Sequence, residues 1–278
     1  MSIQNVVGVY NNKGGVGKTT MAVNLAACMA SKNNRCLLID MDSQGCVAEM
    51  LFGDNEINYS VDSKGGLMPL ERILEYHLDP ADYTAVTSFK YYDRKTRSYS
   101  ELALDVLPCT IDLSDYSYGS ELEIKDLLSN SSGNYDYCFI DLPPSISPDV
   151  YVGLSACDYL IIPCKADKYA AKALINVKKV IKKIDHINPD LRVIGAFINA
   201  FDTRDKSQRA IKSALLKNPF FFTSYVGQST CFSKALLEGK PVICHSSTNG
   251  AKECMAVTNE MLKRIERYNA YKRIEGED

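Results

Sequence analysis

Apolar and β-branched residues run almost unbroken from Ile3 to Tyr10, and the run stops at Asn11. A strand buried on both faces reads this way, because neither face needs a polar position. Residues 21–30 continue with small and apolar side chains and read as a helix. Similar strand-like runs recur at residues 35–40, 135–141, 158–163 and 191–199. Residues 169–184 form a lysine-studded helical pattern, and residues 253–274 a final one with Met255, Leu262 and Ile265 on its apolar face. Strand, helix and strand at this spacing are βαβ units, which imply a parallel sheet. The expected fold is α/β: a mostly parallel twisted sheet flanked by helices on both faces, with residues 1–278 as one domain.

Residues 53–110 are patterned less clearly. Residues 65–77 resemble a short helix, with Leu67, Leu70, Ile73 and Leu74 inward. Residues 83–92 alternate as a strand, 93–98 are polar as in a turn, and 102–107 form a second strand. A hairpin over 83–107 is predicted as an elaboration of the domain. It reads as a plain surface hairpin, with an adornment or a partner-binding element as alternatives.

The 278 residues are 46% hydrophobic and 24% charged, ordinary for a soluble globular chain and ample for a core. No run of about eighteen apolar residues occurs, so no transmembrane helix is expected. The chain enters its first strand at once, so no signal peptide is expected. The ten cysteines include no C-x-x-C pair. Cys28, Cys36, Cys138 and Cys164 fall in apolar patterns and are expected as buried thiols in a reducing cytoplasm. Three histidines without ligand spacing argue against a structural metal site.

Charge is segregated. Residues 1–164 carry 11 Lys and Arg against 22 Asp and Glu, whereas residues 165–278 carry 21 against 12. A basic second half on an acidic protein points to a polyanionic partner, with solvated lysine-rich helix faces as the plain alternative.

The chemistry concentrates at residues 11–20, N-N-K-G-G-V-G-K-T-T. A strand, a glycine-rich turn ending in Gly-Lys-Thr, and a helix are the context of a phosphate-binding loop. Gly14, Gly15 and Gly17 let successive backbone N–H groups point into one concavity, and the helix N-terminus adds partial positive charge. Lys18 can reach the β- and γ-phosphates, and Thr19 can offer its hydroxyl to Mg²⁺. Asp40 and Asp42 follow the second strand, and ligands of such sheets bind at the carboxyl ends of strands. A helix N-cap is the plain alternative for either one. Asp141 ends a strand facing the loop, where an aspartate holds Mg²⁺ through water. Pro143 and Pro144 after it stiffen a loop that would sense the γ-phosphate.

Asn12 stands where the plain G-x-x-x-x-G-K-[ST] pattern has glycine, and an extra lysine, Lys13, opens K-G-G-V-G-K-T-T. That run resembles the deviant Walker A motif of the ParA/MinD family of ATPases. The D-x-D-x-Q-G run at residues 40–45 and the D-x-P-P run at 141–144 are similar to further motifs of the family. The resemblance implies ATP and Mg²⁺ as cofactors, bound by Gly14, Gly15, Val16, Gly17, Lys18, Thr19 and Thr20. It assigns Lys13, Lys18 and Asp42 to catalysis: Lys13 reaches the partner subunit's nucleotide across a dimer, and Asp42 orients the attacking water. It places Thr19, Asp40 and Asp141 around the metal. Asn199 resembles the residue that reads the adenine edge on the MinD side, an amide suiting a base edge; a helix N-cap is the equal alternative.

The resemblance further implies a homodimer that binds nonspecific DNA with its C-terminal region, in the cytoplasm at the nucleoid. A centromere-binding ParB-like adaptor would stimulate weak ATP hydrolysis, and the cargo would be a plasmid, a chromosome or another body. Candidate DNA contacts are Arg204, Lys206, Arg209, Lys212, Lys217, Lys234 and Lys252; Arg209 and Lys212, and separately Arg209 and Lys206, are three apart on an expected helix and share a face. Three positions depart from the family pattern: Lys234 replaces a usual glutamate, a proline is missing around residues 226–227, and Asn249 stands where arginine is common. A MinD-like membrane ATPase is the first competitor, but the chain ends Glu275-Gly276-Glu277-Asp278 and anionic lipid repels such an end. A tyrosine autokinase wants a terminal tyrosine cluster and finds only Tyr268 and Tyr271. A metal-cluster carrier wants paired cysteines.

Overall fold

Seven strands form one sheet in the order β3-β4-β2-β5-β1-β6-β7. The computed structural model describes residue 3 and residues 5–52, 67–93 and 96–275. The strands are β1 (Val6–Val9), β2 (Cys36–Asp40), β3 (Ala85–Asp93), β4 (Ser98–Leu107), β5 (Tyr137–Asp141), β6 (Tyr159–Cys164) and β7 (Arg192–Ile198). All neighbours pair parallel except β3 with β4. The central strands VVGV, CLLID and YLIIPC are buried at every position, as a sheet covered on both faces requires.

Successive residues point to opposite faces, and the two faces pack separate cores. Val7, Val9, Leu38, Phe139 and Ile161 join the side covered by α1 (Lys18–Ala30), α8 (Thr230–Leu237) and α9 (Asn249–Glu275). Leu37, Ile39, Cys138, Ile140 and Leu160 join the other side, under α4 (Glu123–Asn130), α5 (Pro148–Ser155) and α6 (Ala170–Ile184). Phe139 and Phe197 are fully buried, each worth about 1.5–3 kcal/mol of apolar transfer. Cys254, Val257, Met261 and Ile265 turn α9 onto the core; of its expected apolar face Ile265 is buried, and Met255 and Leu262 flank the core half-buried. Cys28, Cys36, Cys138 and Cys164 are buried free thiols, as expected.

Three further helices are α2 (Cys46–Phe52), α3 (Leu70–Glu75) and α7 (Lys206–Leu215). The helix expected over 65–77 is observed as α3; its first positions, 65 and 66, lie outside the described residues, as do Arg94 and Lys95 of the predicted turn and residues 276–278 of the acidic end.

The hairpin is present, but it is no appendage. β4 pairs in parallel with β2 (Leu38 with Val106, Ile39 with Leu107), and Leu102, Leu104, Val106 and Leu107 are buried. Of the two hairpin strands, β3 is the one at the sheet edge, held antiparallel from Ala85 opposite Val106 to Asp93 opposite Ser98. The reading as a surface hairpin fails because β4 alternates like a half-exposed strand along its outer half while its last residues enter the core.

β7 carries a positive-φ glycine, Gly195 at φ 140, where its register to β6 shifts by one residue at Ile194. A Cβ there would lie 2.3 Å from the Phe220 carbonyl oxygen, which accepts from the Ala196 amide. Gly195→Ala is therefore expected to destabilise the protein by about 2–4 kcal/mol through strain and overpacking. The check is a lower urea midpoint at an unchanged slope.

Candidate nucleotide site

Parallel pairing brings the carboxyl ends of β1, β2 and β5 together. Val9 lies opposite Asp141, and Asp141 lies opposite Asp40. The loop leaving β1 is shaped by Gly15 (φ 67) and Gly17 (φ 83), left-handed conformations that a side chain resists. Gly17 caps α1, and its carbonyl accepts from the Met21 amide at 2.9 Å. Asn11, almost fully buried, anchors the start of the loop. Its Nδ2 donates to the Pro163 carbonyl at 2.9 Å, and its Oδ1 accepts from the Lys13 amide at 3.0 Å. Sequence reasoning placed Asn11 in the stretch without a role; a buried polar residue directly after a buried strand was the available signal.

Lys18 is 6% exposed. Burial pushes its pKa down, while the nearby Asp141 and Asp42 carboxylates act against that shift. Asp141 is fully buried, and neither carboxylate oxygen has a hydrogen-bond partner among the described residues. Burial raises its pKa, the adjacent Asp40 raises it further, and Thr19 and Lys18 pull the other way. A buried carboxylate left without donors beside a threonine hydroxyl fits a hard divalent cation, which prefers oxygen ligands. Thr19 and Asp141 are therefore the residues that would hold Mg²⁺.

Asp40 does different work. Its two oxygens accept from the amides of Asp42 (3.0 Å) and Val47 (3.1 Å). Burial raises its pKa and these two bonds lower it. Asp40 thus fixes the turn that carries Asp42, and its oxygens are already engaged by backbone. Asp42 is half-buried, and among the described residues its carboxylate accepts one long bond, 3.3 Å, from the Gln44 amide. The Cys109 thiol donates to the Asp42 carbonyl at 3.1 Å and braces the turn from β4's end.

Lys13 does not point into its own loop. Its ammonium pairs with Asp167 and lies 5.3 Å from the centre of the Tyr169 ring. Asp167 and Tyr169 were invisible to sequence reasoning, since no motif marks them. Gly14 and Val16 lie in the loop, Gly14 exposed and Val16 buried, and Thr20 lies in the first turn of α1. Asn199 donates from Nδ2 to the Val16 carbonyl at 2.7 Å. A Cβ on Gly17 would come 2.4 Å from that nitrogen, so the glycine and the asparagine fit one another. The N-cap reading of Asn199 is corrected: Asp205 caps α7, accepting from the Ser207 and Gln208 amides. Asn199 instead borders a cleft with Gly15, Thr20, Ala200, Gln228 and Phe232.

The basic residues proposed for DNA do not form one face. Lys206, Arg209 and Lys217 are exposed. Arg204 is paired with Asp202 at 3.0 Å, and Lys234 approaches Glu238 at 3.8 Å. Lys252 lies on the far side of the sheet, beside Tyr91 and Tyr92 of the edge strand. Lys212 is a correction: its ammonium is tucked 3.0 Å from the Tyr225 ring centre and 4.5 Å from that of Phe201. Burial lowers its pKa. The three-residue spacing put Lys212 on the face of Arg209, but half-buried Ile211 and Leu215 set α7 with Lys212 against these rings.

Among the described residues, no helix is long and apolar enough to cross a membrane. An AAA domain family model matches residues 4–193. The chain is 29% identical over 275 residues to the chromosome partitioning protein ParA of Myxococcus xanthus, covering 95% of this chain and 89% of that one. It is 28% identical over 268 residues to the sporulation initiation inhibitor protein Soj of Bacillus subtilis, covering 92% and 97%. Its fold is similar to a putative plasmid partition protein from Borrelia burgdorferi bound to AMPPNP, at a TM-score of 0.72 and 22% identity over 94% of this chain and 99% of that one. It is also similar to cobyrinic acid a,c-diamide synthase from Mycobacterium smegmatis with bound ADP and magnesium, at a TM-score of 0.73 and 22% identity over 96% of each chain. The matched span runs from β1 into β7 and holds the phosphate loop and Asp40, Asp42 and Asp141, and the chain belongs to the ParA/MinD family of P-loop ATPases.

Proposed function

We propose that this protein is a partition or positioning ATPase in which ATP closes two copies into a dimer, the dimer holds DNA without reading its sequence, and hydrolysis releases it. The observation that carries the reading is Lys13: a second lysine at the mouth of the phosphate loop, held by the half-buried Asp167 carboxylate and the Tyr169 ring of its own chain. A half-buried ion pair of this kind is weak, so ATP on a facing subunit can compete for the lysine. Relatives named for chromosome partitioning support the cargo class. A ParB-like adaptor as the stimulating partner, and the nucleoid as the place of work, belong to the same reading.

Each residue then has a task. The loop amides and Lys18 hold the β- and γ-phosphates. Thr19 and Asp141 hold Mg²⁺, which neutralises charge on the phosphate oxygens when bound. Asp40 fixes the turn, and Asp42 orients the attacking water at its exposed end. Asn199 positions the loop beside the cleft that would take the nucleoside. Lys13 leaves Asp167 and completes the partner's site, so hydrolysis waits for the dimer.

Three variants test this. Lys18→Ala is expected to abolish ATP-dependent dimerisation in light scattering, and an unchanged dimer contradicts the proposed site. Asp42→Ala is expected to bind ATP and dimerise but to hydrolyse about a hundredfold more slowly, the usual scale of losing a positioned catalytic carboxylate. Normal phosphate release from Asp42→Ala removes it from that role. Asp167→Asn frees Lys13, and half-maximal dimerisation is expected at about two- to fivefold lower ATP, the scale of a partly exposed ion pair.

A further inference from the structure

We propose that the outward lysine row of α6 is a polyanion-binding surface that grips the phosphates of duplex DNA. The proposal rests on the DNA-holding reading above and gives it a location that the C-terminal basic residues do not supply.

The charge excess of the second half comes mainly from one element. Residues 165–184 carry seven lysines and one acid, Asp167, whereas residues 185–278 carry 14 basic residues against 11 acidic ones. Asp167 is itself paired with Lys13. The inward positions of α6, Ala170, Ala173, Val177, Val180 and Ile184, are buried in the core. Lys172, Lys179, Lys182 and Lys183 stand seven, ten and eleven residues along from the first, on the opposite face, and all are exposed. Lys168 precedes them and Lys178 flanks them, both exposed.

Among the described residues, no carboxylate lies within salt-bridge distance of any of these six ammonium groups. Lys168 and Lys183 lie over the Tyr169 and Tyr151 rings, contacts that neutralise no charge. Lys179 with Lys182, Lys179 with Lys183, and Lys178 with Lys182 are like charges at helical neighbour spacing, and they repel. Solvated helix faces ordinarily mix the two signs. A row of one sign with no counter-charge is completed by a polyanion.

Duplex DNA fits better than a bilayer. A membrane-surface helix buries an apolar face in lipid, and the apolar face of α6 is already spent on the core. Ile175 is the single exposed large aliphatic side chain on the helix. From Lys172 to Lys183 the helix rises about 16 Å, the axial reach of about five phosphates on one strand. By contrast Arg204 and Lys234 face Asp202 and Glu238, and Lys212 is half-buried against Tyr225 and Phe201.

The test is ATP-dependent binding to a duplex of unrelated sequence, measured over a salt series. It compares wild type, the triple variant Lys179→Gln/Lys182→Gln/Lys183→Gln, and a control triple Lys206→Gln/Arg209→Gln/Lys217→Gln. Glutamine matches lysine in helix propensity, and these lysines lie away from the nucleotide site, so dimerisation with ATP is expected to be unchanged. In the α6 triple the slope of log affinity against log salt is expected to fall by about 2.7, for three lost phosphate contacts. An unchanged slope in the α6 triple, while wild type binds, overturns the α6 row and leaves the DNA reading standing. Wild type that dimerises with ATP but binds no duplex overturns both. Binding to vesicles of phosphatidylserine and phosphatidylcholine that the α6 triple loses, with no duplex binding, assigns the row to a membrane and overturns the proposal.

Discussion

Burying charge is costly unless something completes it, and this constraint organises the nucleotide site. Lys18 and Asp141 are both withdrawn from water at the carboxyl edge of the sheet, yet they form no direct ion pair. Asp141 offers two oxygens that no donor among the described residues satisfies by hydrogen bonding. Such an arrangement is tolerable when a phosphate answers the lysine and a cation answers the carboxylate. The sheet sets the strand-end groups in place, because β1, β5 and β2 fix their strand ends in register.

Around that pair, neighbouring residues spend their hydrogen bonds on backbone. Asp40 holds the Asp42 turn, Asn11 holds the start of the phosphate loop, Asn199 holds its middle, and Cys109 braces Asp42 from the end of β4. This explains why β4 matters to a site it does not line. The strand that looked like half of a surface hairpin delivers Cys109 to the Asp42 turn.

The lysines show the same distinction between a residue's charge and its availability. Lys212 and Arg204 carry charge but are already engaged, whereas the α6 row is exposed and unanswered. Lys13 lies between these cases. It is held, but by a partly exposed carboxylate, as the proposed exchange to a second subunit requires.

The sequence by itself determined the parallel sheet, the phosphate loop, and the strand-end acids Asp40 and Asp141, because each is a local signal. Fully buried strands leave unbroken apolar runs, and a loop that needs positive φ leaves glycines. Helix α9's docking was legible from its stripe for the same reason. What only the tertiary structure decided were meetings of residues far apart in the chain: Lys13 with Asp167, Asn199 with Val16, Cys109 with Asp42, and Lys212 with Tyr225. Spacing along a helix says which side chains share a face. It does not say which face the core will claim, and that choice turned Lys212 inward and left the α6 lysines in water.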